Sequence, residues 1–464
     1  MTPADANCGG TPATDASASS APLERWAEMA HGSGIVDGEL YGRYEVKRGL
    51  RDVSGKGVLA GLTRIGDVVG SAPDGDTYTP IPGELYYRGI EINELVAGFQ
   101  AADRFGFEET CYLVLFGELP NAEELARFEA YLAERRILPR HFVNDAILRM
   151  PSRDVMNAMG RAVLALYTRD ENPDDASIPA VLRQSLQVIA TFPVLAVYAY
   201  QAHANQFHDR SLIIHSPQAG LSTAENILHM LRSDSCYTDL EAKVLDLALV
   251  LHAEHGGGNN SSFTAHVVSS SGTDTYATIA ASLGSLKGPK HGGANIKMVR
   301  MFDDLKSQVA DWSDDEEIES YLLKVLAKEA FDRSGLIYGM GHPVYSVSDP
   351  RTIILRDYAR DLAVSKGLAD EYRLLTKVED VAPHAIAKTR KVYKGVSANV
   401  DFYSGYVYRM LGIPEELYTP LFAVSRVVGW CAHRIEELAN GGKIIRPAYK
   451  SVSDRREYVP IEQR

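Results

Sequence analysis

Four of the thirteen histidines lie between residues 251 and 295, namely His252, His255, His266 and His291. Two of them, His255 and His291, are followed directly by glycines, in the segments HGGG and HGG. Glycine permits backbone conformations and close approaches that a side chain would block. A ligand could therefore contact both the imidazole ring and the neighbouring backbone, which favours a binding role for His255 and His291.

Two further residues capable of proton transfer stand at breaks in sequence that is otherwise typical of helices. His342 lies between Gly341 and Pro343, which hold the chain out of a helix. Asp401 stands at the start of a predicted helix, where a carboxylate is either a cap or a working group. Each residue taken alone is more often structural, but functional residues concentrate at such breaks. Together with His291 they could supply a general base and two hydrogen-bond donors, which predicts proton abstraction next to a carbonyl.

Three arginines near these breaks are candidates for binding a carboxylate: Arg351, Arg426 and Arg446. The planar guanidinium fork binds carboxylates through two parallel hydrogen bonds, although each of the three could equally form a surface ion pair. His252 and His255 would lie on one face of a helix, where two histidines can hold a metal. No cysteine or obvious third ligand accompanies them, so the sequence favours a site without a metal.

Composition and charge narrow the class of protein. The formal net charge of −13 argues against a general nucleic-acid binder and against binding to anionic membranes. The four cysteines have no CxxC spacing, which favours a reducing, cytoplasmic compartment. Residues 184–208 contain no Asp, Glu, Lys or Arg, but their glutamines, histidines and proline indicate a buried core helix rather than a membrane span. Residues 1–24 are small and polar and predict a disordered leader.

The elements that must position the candidate residues are mostly helices. From Tyr41 to Ile90, short apolar pieces separated by Gly and Pro predict small strands and turns. Three Ser/Thr-x-x-Glu capping boxes predict helix starts further along: Ser222 with Glu225, Thr238 with Glu241, and Ser313 with Glu316. The second box begins a helix that is apolar on nearly all sides and ends in His252 and His255, with Gly256 as its C′ glycine. A chain of 464 residues exceeds the usual size of one core, so we expect a mostly α fold with two domains.

Five segments carry a resemblance to a known family. They are LHAEHGGGNN, GPKHGGAN, GHPVYSVSDPR, NVDFYSG and AVSRVVGW…IIRPAYK, in this order. Together they resemble the citrate synthase family, and the resemblance extends from roughly Gly57 to Lys450. It implies a homodimer whose large helical domain, residues 25–293 and 400–464, carries the oxaloacetate side. A smaller mobile helical domain, residues 294–399, would carry the CoA side and close over the site, with small β elements near the N-terminus.

The resemblance implies a role for each catalytic candidate. His291 would hydrogen-bond the thioester oxygen of acetyl-CoA while Asp401 removes a proton from the methyl group. The enol or enolate so formed would attack the ketone of oxaloacetate, which His342 polarises by donating a hydrogen bond. Hydrolysis of citryl-CoA would then release citrate and CoA.

The resemblance also implies the substrate-binding residues. The oxaloacetate carboxylates would be held by four side chains, His255, Arg351, Arg426 and, from the neighbouring subunit, Arg446. The backbone around Gly339 and Gly341 would line the CoA adenine. Where many relatives carry Arg or Lys to meet a CoA phosphate, this chain has Ser346, so the phosphate contacts stay open. No metal and no redox cofactor is expected, and acetyl-CoA is a substrate rather than a cofactor.

We therefore expect a citrate synthase of the tricarboxylic acid cycle, an acyltransferase that converts acyl into alkyl on transfer. The alternative is 2-methylcitrate synthase, which uses propionyl-CoA. One added methylene changes binding by only about 1–3 kcal/mol, so the sequence leaves the acyl-CoA preference open. Two rivals come from other classes, a metallohydrolase on His252 and His255 and a non-catalytic relative; intact His291, His342 and Asp401 argue against the second. Nucleotide regulation, assembly beyond a dimer and the role of residues 1–24 are also left open.

Overall fold

Helices make up most of the chain, as the sequence predicts, and the strands of the described part form one small sheet. The structure is a computed structural model that describes residues 20–51, 57–74, 77–389 and 395–464. Its contacts divide the chain into two compact units, Met1–Ala60 with Arg446–Arg464, and Gly61–Ile445. The expected boundaries between a large and a small domain, before residue 294 and after residue 399, stay a prediction.

The first unit contains α1 (Ser20–Gly34), α2 (Gly38–Arg43) and the C-terminal segment 446–464. Of the expected disordered leader, residues 1–19 lie outside the described residues. Residues 20–24 belong to the start of α1, so ordered structure begins earlier than the sequence indicated. Pro22 is compatible with this start because the N–H groups of the first helical turn have no intrahelical partner.

The second unit begins with a three-stranded antiparallel sheet in the order β1 (Gly66–Asp74), β2 (Thr77–Tyr87), β3 (Ile90–Glu91). Glycines let a later loop lie against this sheet. A Cβ on Gly70 would lie 2.5 Å from the Val344 carbonyl oxygen, and one on Gly83 would lie 2.3 Å from the Ser348 carbonyl oxygen. The Gly83 N–H donates a hydrogen bond to that Ser348 oxygen at 3.0 Å. The sheet therefore supports the segment that follows His342.

Helices form the rest of the second unit. In chain order they are α3 (Ile92–Ala101), α4 (Phe107–Phe116), α5 (Ala122–Arg136), α6 (Arg140–Phe142), α7 (Val155–Leu166), α8 (Ile178–His208), α9 (Thr223–Leu231), α10 (Asp239–His252), α11 (Asn260–Ser269), α12 (Thr275–Lys287), α13 (Ala294–Gln308), α14 (Asp315–Leu326), α15 (Pro350–Ser365), α16 (Ala369–Thr389), α17 (Val400–Met410) and α18 (Tyr418–Ala439). A π-helical turn, Val143–Leu148, links α6 to α7. Helix α8 is long and apolar enough to cross a membrane, but 83% of its most apolar window is buried inside the protein, as expected for a core helix.

Two of the three predicted capping boxes are confirmed. Ser222 and Glu225 cap α9, and Thr238 and Glu241 cap α10. The third prediction, Ser313 with Glu316, is wrong because Asp314 caps α14 instead. The Asp314 carboxylate accepts hydrogen bonds from two backbone N–H groups of the first turn, and its negative charge is favourable at a helix N-terminus.

Helix α10 ends at His252, whereas the sequence predicts a helix that continues to His255 and has Gly256 as its C′ residue. Its last carbonyl groups are bound by side chains from other elements. The Tyr87 hydroxyl donates to the Val250 carbonyl at 3.1 Å, and the Arg426 Nε donates to the His252 carbonyl at 2.6 Å. Since these partners satisfy carbonyls that the end of a helix leaves unpaired, the chain can turn early. His255 therefore stands in the loop after α10, and Gly256 has a φ of 80° within that loop.

Candidate active site

The loop after α10 and the loop before α15 bring two candidate histidines together. The rings of His255 and His342 lie 5.1 Å apart, centroid to centroid, at 85°. Tyr345 stacks on His342 at 4.6 Å and 21° and lies edge-on to His255 at 5.7 Å. The Tyr345 hydroxyl donates to the Glu84 carbonyl at 3.2 Å, which ties this aromatic group to the sheet.

Backbone hydrogen bonds set the tautomer of His342. Its Nδ1 accepts hydrogen bonds from the backbone N–H groups of Val344 at 3.1 Å and Tyr345 at 3.0 Å. An imidazole nitrogen that accepts carries no hydrogen, so the proton of the neutral ring is on Nε2. The loop therefore orients His342 to donate a hydrogen bond from Nε2.

His255 is buried and neutral. It is 9% exposed, and its Nε2 is buried without a hydrogen-bond partner among the described residues. Burial holds the pKa of His255 well below its ordinary value, and the positive charge of Arg351 lowers it further. A buried ring nitrogen without a partner is costly unless a ligand satisfies it.

Arg426 on α18 carries the clearest unsatisfied binding capacity. Its side chain is fully buried, and Nη1 and Nη2 have no hydrogen-bond partner among the described residues. Burial lowers the pKa of Arg426 to about 10, which leaves the group positively charged at neutral pH. The guanidinium carbon lies 4.7 Å from the centroid of the Phe422 ring. A buried cation with two unused donors on its fork suits a carboxylate ligand.

Arg351 is also buried, but it is already paired. Its Nε and Nη2 donate to the two carboxylate oxygens of Asp349 at 3.0 and 2.7 Å. Asp349 also caps α15 by accepting the Arg351 backbone N–H at 3.0 Å. The described hydrogen bonds leave Nη1 of Arg351 for a ligand. Arg351 is therefore in an ion pair, as one alternative proposed, but that pair is buried rather than at the surface.

Asp401 is not the cap of α17. Asn399 caps this helix and accepts the Asp401 backbone N–H at 3.0 Å. The Asp401 carboxylate has no hydrogen bond with any described residue. Burial raises the pKa of Asp401 to about 6, although the positive charges of Arg351 and Arg426 act in the opposite direction. A carboxylate with its pKa near the working pH, and with no structural partner, can act as a general base.

His291 lies in the turn between α12 and α13, and a serine that the sequence reasoning missed contacts it. The His291 Nε2 lies 3.1 Å from the Ser261 Oγ. That oxygen also accepts a hydrogen bond from the Trp430 indole at 3.0 Å, and the Ser261 hydroxyl donates to the Asn259 Oδ1 at 2.9 Å. With its one hydrogen on Asn259, Ser261 accepts from the His291 Nε2–H; when Ser261 turns that hydrogen to Nε2 instead, the proton of the neutral His291 ring is on Nδ1. Burial, with the charge of Arg426, lowers the pKa of His291 to about 4, so the ring is neutral at neutral pH.

The ring of Phe422 on α18 lies near both His291 and His252. Its ring lies 4.7 Å from that of His252 and 6.4 Å from that of His291. His252 donates from Nδ1 to the Ala248 carbonyl at 2.7 Å, and burial lowers its pKa to about 3. Within the described ranges, no third metal-ligating group gathers with His252 and His255. His252 is thus a neutral buried ring whose Nε2, like that of His255, has no hydrogen-bond partner among the described residues.

The two glycines expected to line CoA have positive φ angles and a structural role. Gly339 has a φ of 80° and Gly341 a φ of 87°. The Gly341 N–H donates to the Ser397 carbonyl at 2.8 Å, and the Asn399 N–H donates to the Gly339 carbonyl at 2.9 Å. These bonds tie the loop of His342 to the start of α17. Contact with CoA stays a prediction for Gly339 and Gly341.

For Arg446 and Ser346 the structure shows the position in the chain but not a contact with substrate. Arg446 begins the C-terminal segment of the first unit, and its reach to a neighbouring site stays a prediction. Ser346 lies in the loop after His342, where a Cβ on Gly395 would lie 2.8 Å from its carbonyl oxygen. The close approach of residue 395 therefore requires glycine, which also adopts the φ of 85° found there.

Comparisons with known proteins show which family this chain resembles. The sequence model described as citrate synthase, C-terminal domain, matches residues 51–448. The chain is 36% identical over 386 residues to a citrate synthase of Deinococcus radiodurans, covering 82% of this chain and 93% of the relative. It is 32% identical over 386 residues to a 2-methylcitrate synthase of Shewanella oneidensis, covering 82% and 92%. The solved citrate synthase of Thermoplasma acidophilum, in a ternary complex with carboxymethyl coenzyme A and oxaloacetate, superimposes with a TM-score of 0.73 at 28% identity, covering 90% of this chain and 99% of that one.

Proposed function

Since the chain belongs to the citrate synthase family, we propose that it condenses acetyl-CoA with oxaloacetate and hydrolyses citryl-CoA to citrate and CoA. The observation that carries the proposal is Arg426, a buried cation whose two terminal nitrogens have no partner. It interacts electrostatically with Asp401, a carboxylate free of structural hydrogen bonds, and with the neutral His291. A dicarboxylate and a weakly acidic methyl group are the substrates that such a combination suits.

Binding of the anionic substrate falls to three side chains. Arg426 offers Nη1 and Nη2, Arg351 offers Nη1, and His255 offers a buried Nε2. The chain as a whole carries a net charge of −13, so an anion must be attracted by a local cluster of positive charge. Arg426 supplies that charge, because Asp349 neutralises Arg351, and the planar guanidinium fork matches carboxylate geometry.

Proton transfer falls to Asp401 and His291. At pH 7.5 a carboxyl with a pKa of about 6 is mostly ionised and can remove a proton from the acetyl methyl group. Such a base contributes about 10²–10⁴-fold to the rate. His291, neutral and with its proton on Nδ1 when Ser261 donates to Nε2, would donate to the thioester oxygen as negative charge develops there. A preorganised donor of this kind contributes about 10²–10³-fold.

Carbon–carbon bond formation falls to His342. The backbone holds Nδ1 of His342 as an acceptor, so Nε2–H can polarise the ketone of oxaloacetate. The enolate carbon attacks that ketone, and the new alkoxide receives the hydrogen bond. Water then attacks the thioester of citryl-CoA, which breaks the C–S bond and releases CoA as the thiol.

We extend the proposal to assembly and domain motion. Alignment of two bound substrates and exclusion of water account for rate enhancement beyond that of the base and the donors. Closure of residues 294–399 over residues 25–293 and 400–464 would exclude water and protect the thioester. The proposed homodimer would place Arg446 at the neighbouring site. The proposed location is the cytoplasm, where the described cysteines, Cys111, Cys236 and Cys431, would stay reduced as they are here.

A second candidate is 2-methylcitrate synthase, which the similarity to the Shewanella oneidensis relative favours. Release of the CoA thiol, measured with oxaloacetate and a series of acetyl-CoA or propionyl-CoA concentrations, tests both. A larger kcat/KM with acetyl-CoA supports the main proposal, and a larger value with propionyl-CoA moves it to the second with the same residues. Absence of thiol release with either donor would refute both and favour a non-catalytic member of the family.

A further inference from the structure

A second pair of histidines lies outside the set of proposed catalytic residues. His266 on α11 and His433 on α18 face each other, and the His266 Nε2 lies 3.0 Å from the His433 Nδ1. Neither ring contacts the reacting groups described above. His433 is fully buried, and the His266 side chain is 13% exposed.

In each histidine of the pair, the outer ring nitrogen faces a carboxylate and the inner ring nitrogen faces the other histidine. The outer contacts leave the two inner nitrogens without a proton between them. The His266 Nδ1 lies 2.8 Å from a carboxylate oxygen of Glu437, and the His433 Nε2 lies 3.0 Å from one of Glu254. A carboxylate only accepts hydrogen bonds, so both outer nitrogens carry N–H. In neutral rings both inner nitrogens are then bare, and two lone pairs face each other at 3.0 Å. The repulsion is removed only by an added proton or by a metal ion between the rings.

A third ligand atom completes the cluster. Glu436 accepts the Arg64 backbone N–H on Oε1 at 2.7 Å, but its Oε2 is buried and has no hydrogen-bond partner among the described residues. This Oε2 lies 3.9 Å from the His433 Nδ1, and the three possible ligand atoms lie within 4.8 Å of one another. Three carboxylates, Glu254, Glu436 and Glu437, thus surround two imidazoles. Arg426 near Glu254 and Arg88 near Glu436 offset part of this negative charge, and the remainder, beside two bare ring nitrogens, favours a cation between the rings.

We propose that His266 Nε2, His433 Nδ1 and Glu436 Oε2 bind a divalent transition-metal ion of the zinc class. Two imidazoles and one carboxylate form a known zinc ligand set, with water in the fourth position. Glu437 and Glu254 act as outer partners that fix the ring orientations, as carboxylates behind ligating histidines commonly do. Tetrahedral zinc with bonds of about 2.0–2.1 Å needs about 3.3 Å between ligand atoms, so the two nitrogens need to separate by only a few tenths of an ångström.

The ion would anchor the loop that carries His255. Glu254 directly precedes His255, and glycines let it pack tightly against β1 and α18. A Cβ on Gly429 would lie 2.3 Å from the Glu254 Oε2, and one on Gly66 would lie 2.8 Å from the Glu254 Cγ. A metal on His433 would therefore fix Glu254 and the start of the loop. The role is structural, and it does not depend on the proposed reaction.

A second histidine cluster provides a matched contrast. His203, His208 and Glu416 also lie close together, with 3.1 Å between the two Nε2 atoms. There the His203 Nδ1 lies 2.9 Å from the Ser152 carbonyl oxygen and must donate to it, so the His203 Nε2 accepts from the His208 Nε2–H. Two neutral rings satisfy this arrangement without an ion. Proton counting thus separates two clusters that look alike by composition.

The test uses the full chain, dialysed against a chelator and then titrated with zinc chloride alone. We expect one tightly bound zinc per chain by calorimetry and elemental analysis, and a rise in Tm with zinc concentration. His266→Gln should abolish both effects. Glu437→Gln, which keeps all three ligands, should weaken binding about 10–100-fold. His208→Gln should keep the stoichiometry and the rise in Tm. Cobalt(II) in place of zinc should give the visible absorption of a four-coordinate site in the parent and in His208→Gln but not in His266→Gln.

Several outcomes would overturn the proposal. If the parent protein binds no zinc and its Tm does not respond, the two histidines share a proton only. The proposal also fails if His208→Gln, rather than His266→Gln, loses the bound ion. Should His266→Gln fold poorly, the stoichiometry of the parent and the weakened binding of Glu437→Gln decide the matter. Calorimetry and Tm need no substrate, so failure here is distinct from failure of the proposed reaction.

Discussion

Replacing Arg426 by methionine should weaken oxaloacetate binding with little change in the stability of the substrate-free protein. The guanidinium is fully buried, and its two terminal nitrogens have no partner among the described residues. Methionine keeps an unbranched, flexible side chain and removes the charge, so no unpartnered donor stays buried. The one described hydrogen bond lost is that from Nε to the His252 carbonyl, 2.6 Å long.

The expected loss of kcat/KM follows from the number of hydrogen-bond donors that Arg426 offers to the substrate. Hydrogen bonds to a charged group contribute about 1.5–3 kcal/mol each, so a carboxylate held by both terminal nitrogens accounts for about 3–6 kcal/mol. At about 1.4 kcal/mol per factor of ten, kcat/KM for oxaloacetate should fall by roughly 10²–10⁴-fold. Removing Arg426 recovers the desolvation cost of a buried cation, but it also removes the Nε bond and the attraction of Arg426 to Glu254 and Asp401. These contributions act in opposite directions, so we expect the free energy of unfolding to change by less than about 2 kcal/mol.

Arg434 on the same helix is the matched control. It is also fully buried, but it donates to Thr275 Oγ1 at 3.1 Å, Thr278 Oγ1 at 3.0 Å and the Thr273 carbonyl at 2.8 Å. Arg434→Met should therefore lower the free energy of unfolding by about 3 kcal/mol or more. The assays are CoA thiol release against oxaloacetate concentration, and urea unfolding without substrate. The reasoning is refuted if Arg426→Met keeps the parent kcat/KM, or if both variants lose the same stability.

Three further predictions test the proposed base Asp401, the contact of Ser261 with His291, and the loop of His342. Asp401→Asn should lower kcat by about 10²–10⁴-fold with little change in oxaloacetate affinity. The proposed base must be ionised, and burial raises the pKa of Asp401 to about 6, so kcat/KM of the parent protein should decline as the pH falls through 6. A decline only near pH 4 would contradict this role. Ser261→Ala removes the hydroxyl that contacts the His291 Nε2. Loss of one hydrogen bond worth about 1 kcal/mol should lower kcat about fivefold and leave the KM for oxaloacetate unchanged. A change in that KM alone would argue for a binding role. Gly83→Ala places a Cβ 2.3 Å from the Ser348 carbonyl oxygen, so it should cost about 1–3 kcal/mol of stability and displace the loop of His342. Gly98→Ala meets no atom within 4 Å outside the backbone of its own helix and should lose no stability in urea unfolding, and equal behaviour of the two variants would count against the packing argument.

The sequence could predict the elements and the candidate residues where local chemistry determines them. Capping boxes at Ser222 and Thr238 are patterns of neighbouring residues, and the structure confirms both. The sequence could not decide between Ser313 and Asp314, because both residue types are favourable helix caps. The hydrogen bonds show that Asp314 caps α14. Helix α10 ends early because Tyr87 and Arg426, both distant in sequence, take its last carbonyls. No window around His252 contains that information.

The sequence could not predict which side chain holds each candidate in position. Ser261 contacts His291 across 30 residues, and Trp430 reaches the same oxygen across 169. A signal for Ser261 existed in the segment NNSS, because Asn259 is a favourable cap whose side chain accepts the Ser261 N–H at 3.2 Å. That signal predicts a helix start and does not indicate contact with a histidine. The link from Ser261 to His291 depends on the packing of α11 beside the turn after α12.

Helix α18 shows why burial alone does not identify a functional residue. Arg426, His433 and Arg434 are all fully buried on this helix, and in the sequence each is a polar residue in an apolar segment. Their hydrogen bonds separate them. Arg434 is bound by three hydroxyls and a carbonyl, so it is explained by the fold itself. The unpaired nitrogens of Arg426 require an anion, and the bare nitrogen of His433 requires a proton or a cation. Because an unsatisfied buried group costs about 1–3 kcal/mol, and more when charged, such groups are retained where a ligand satisfies them.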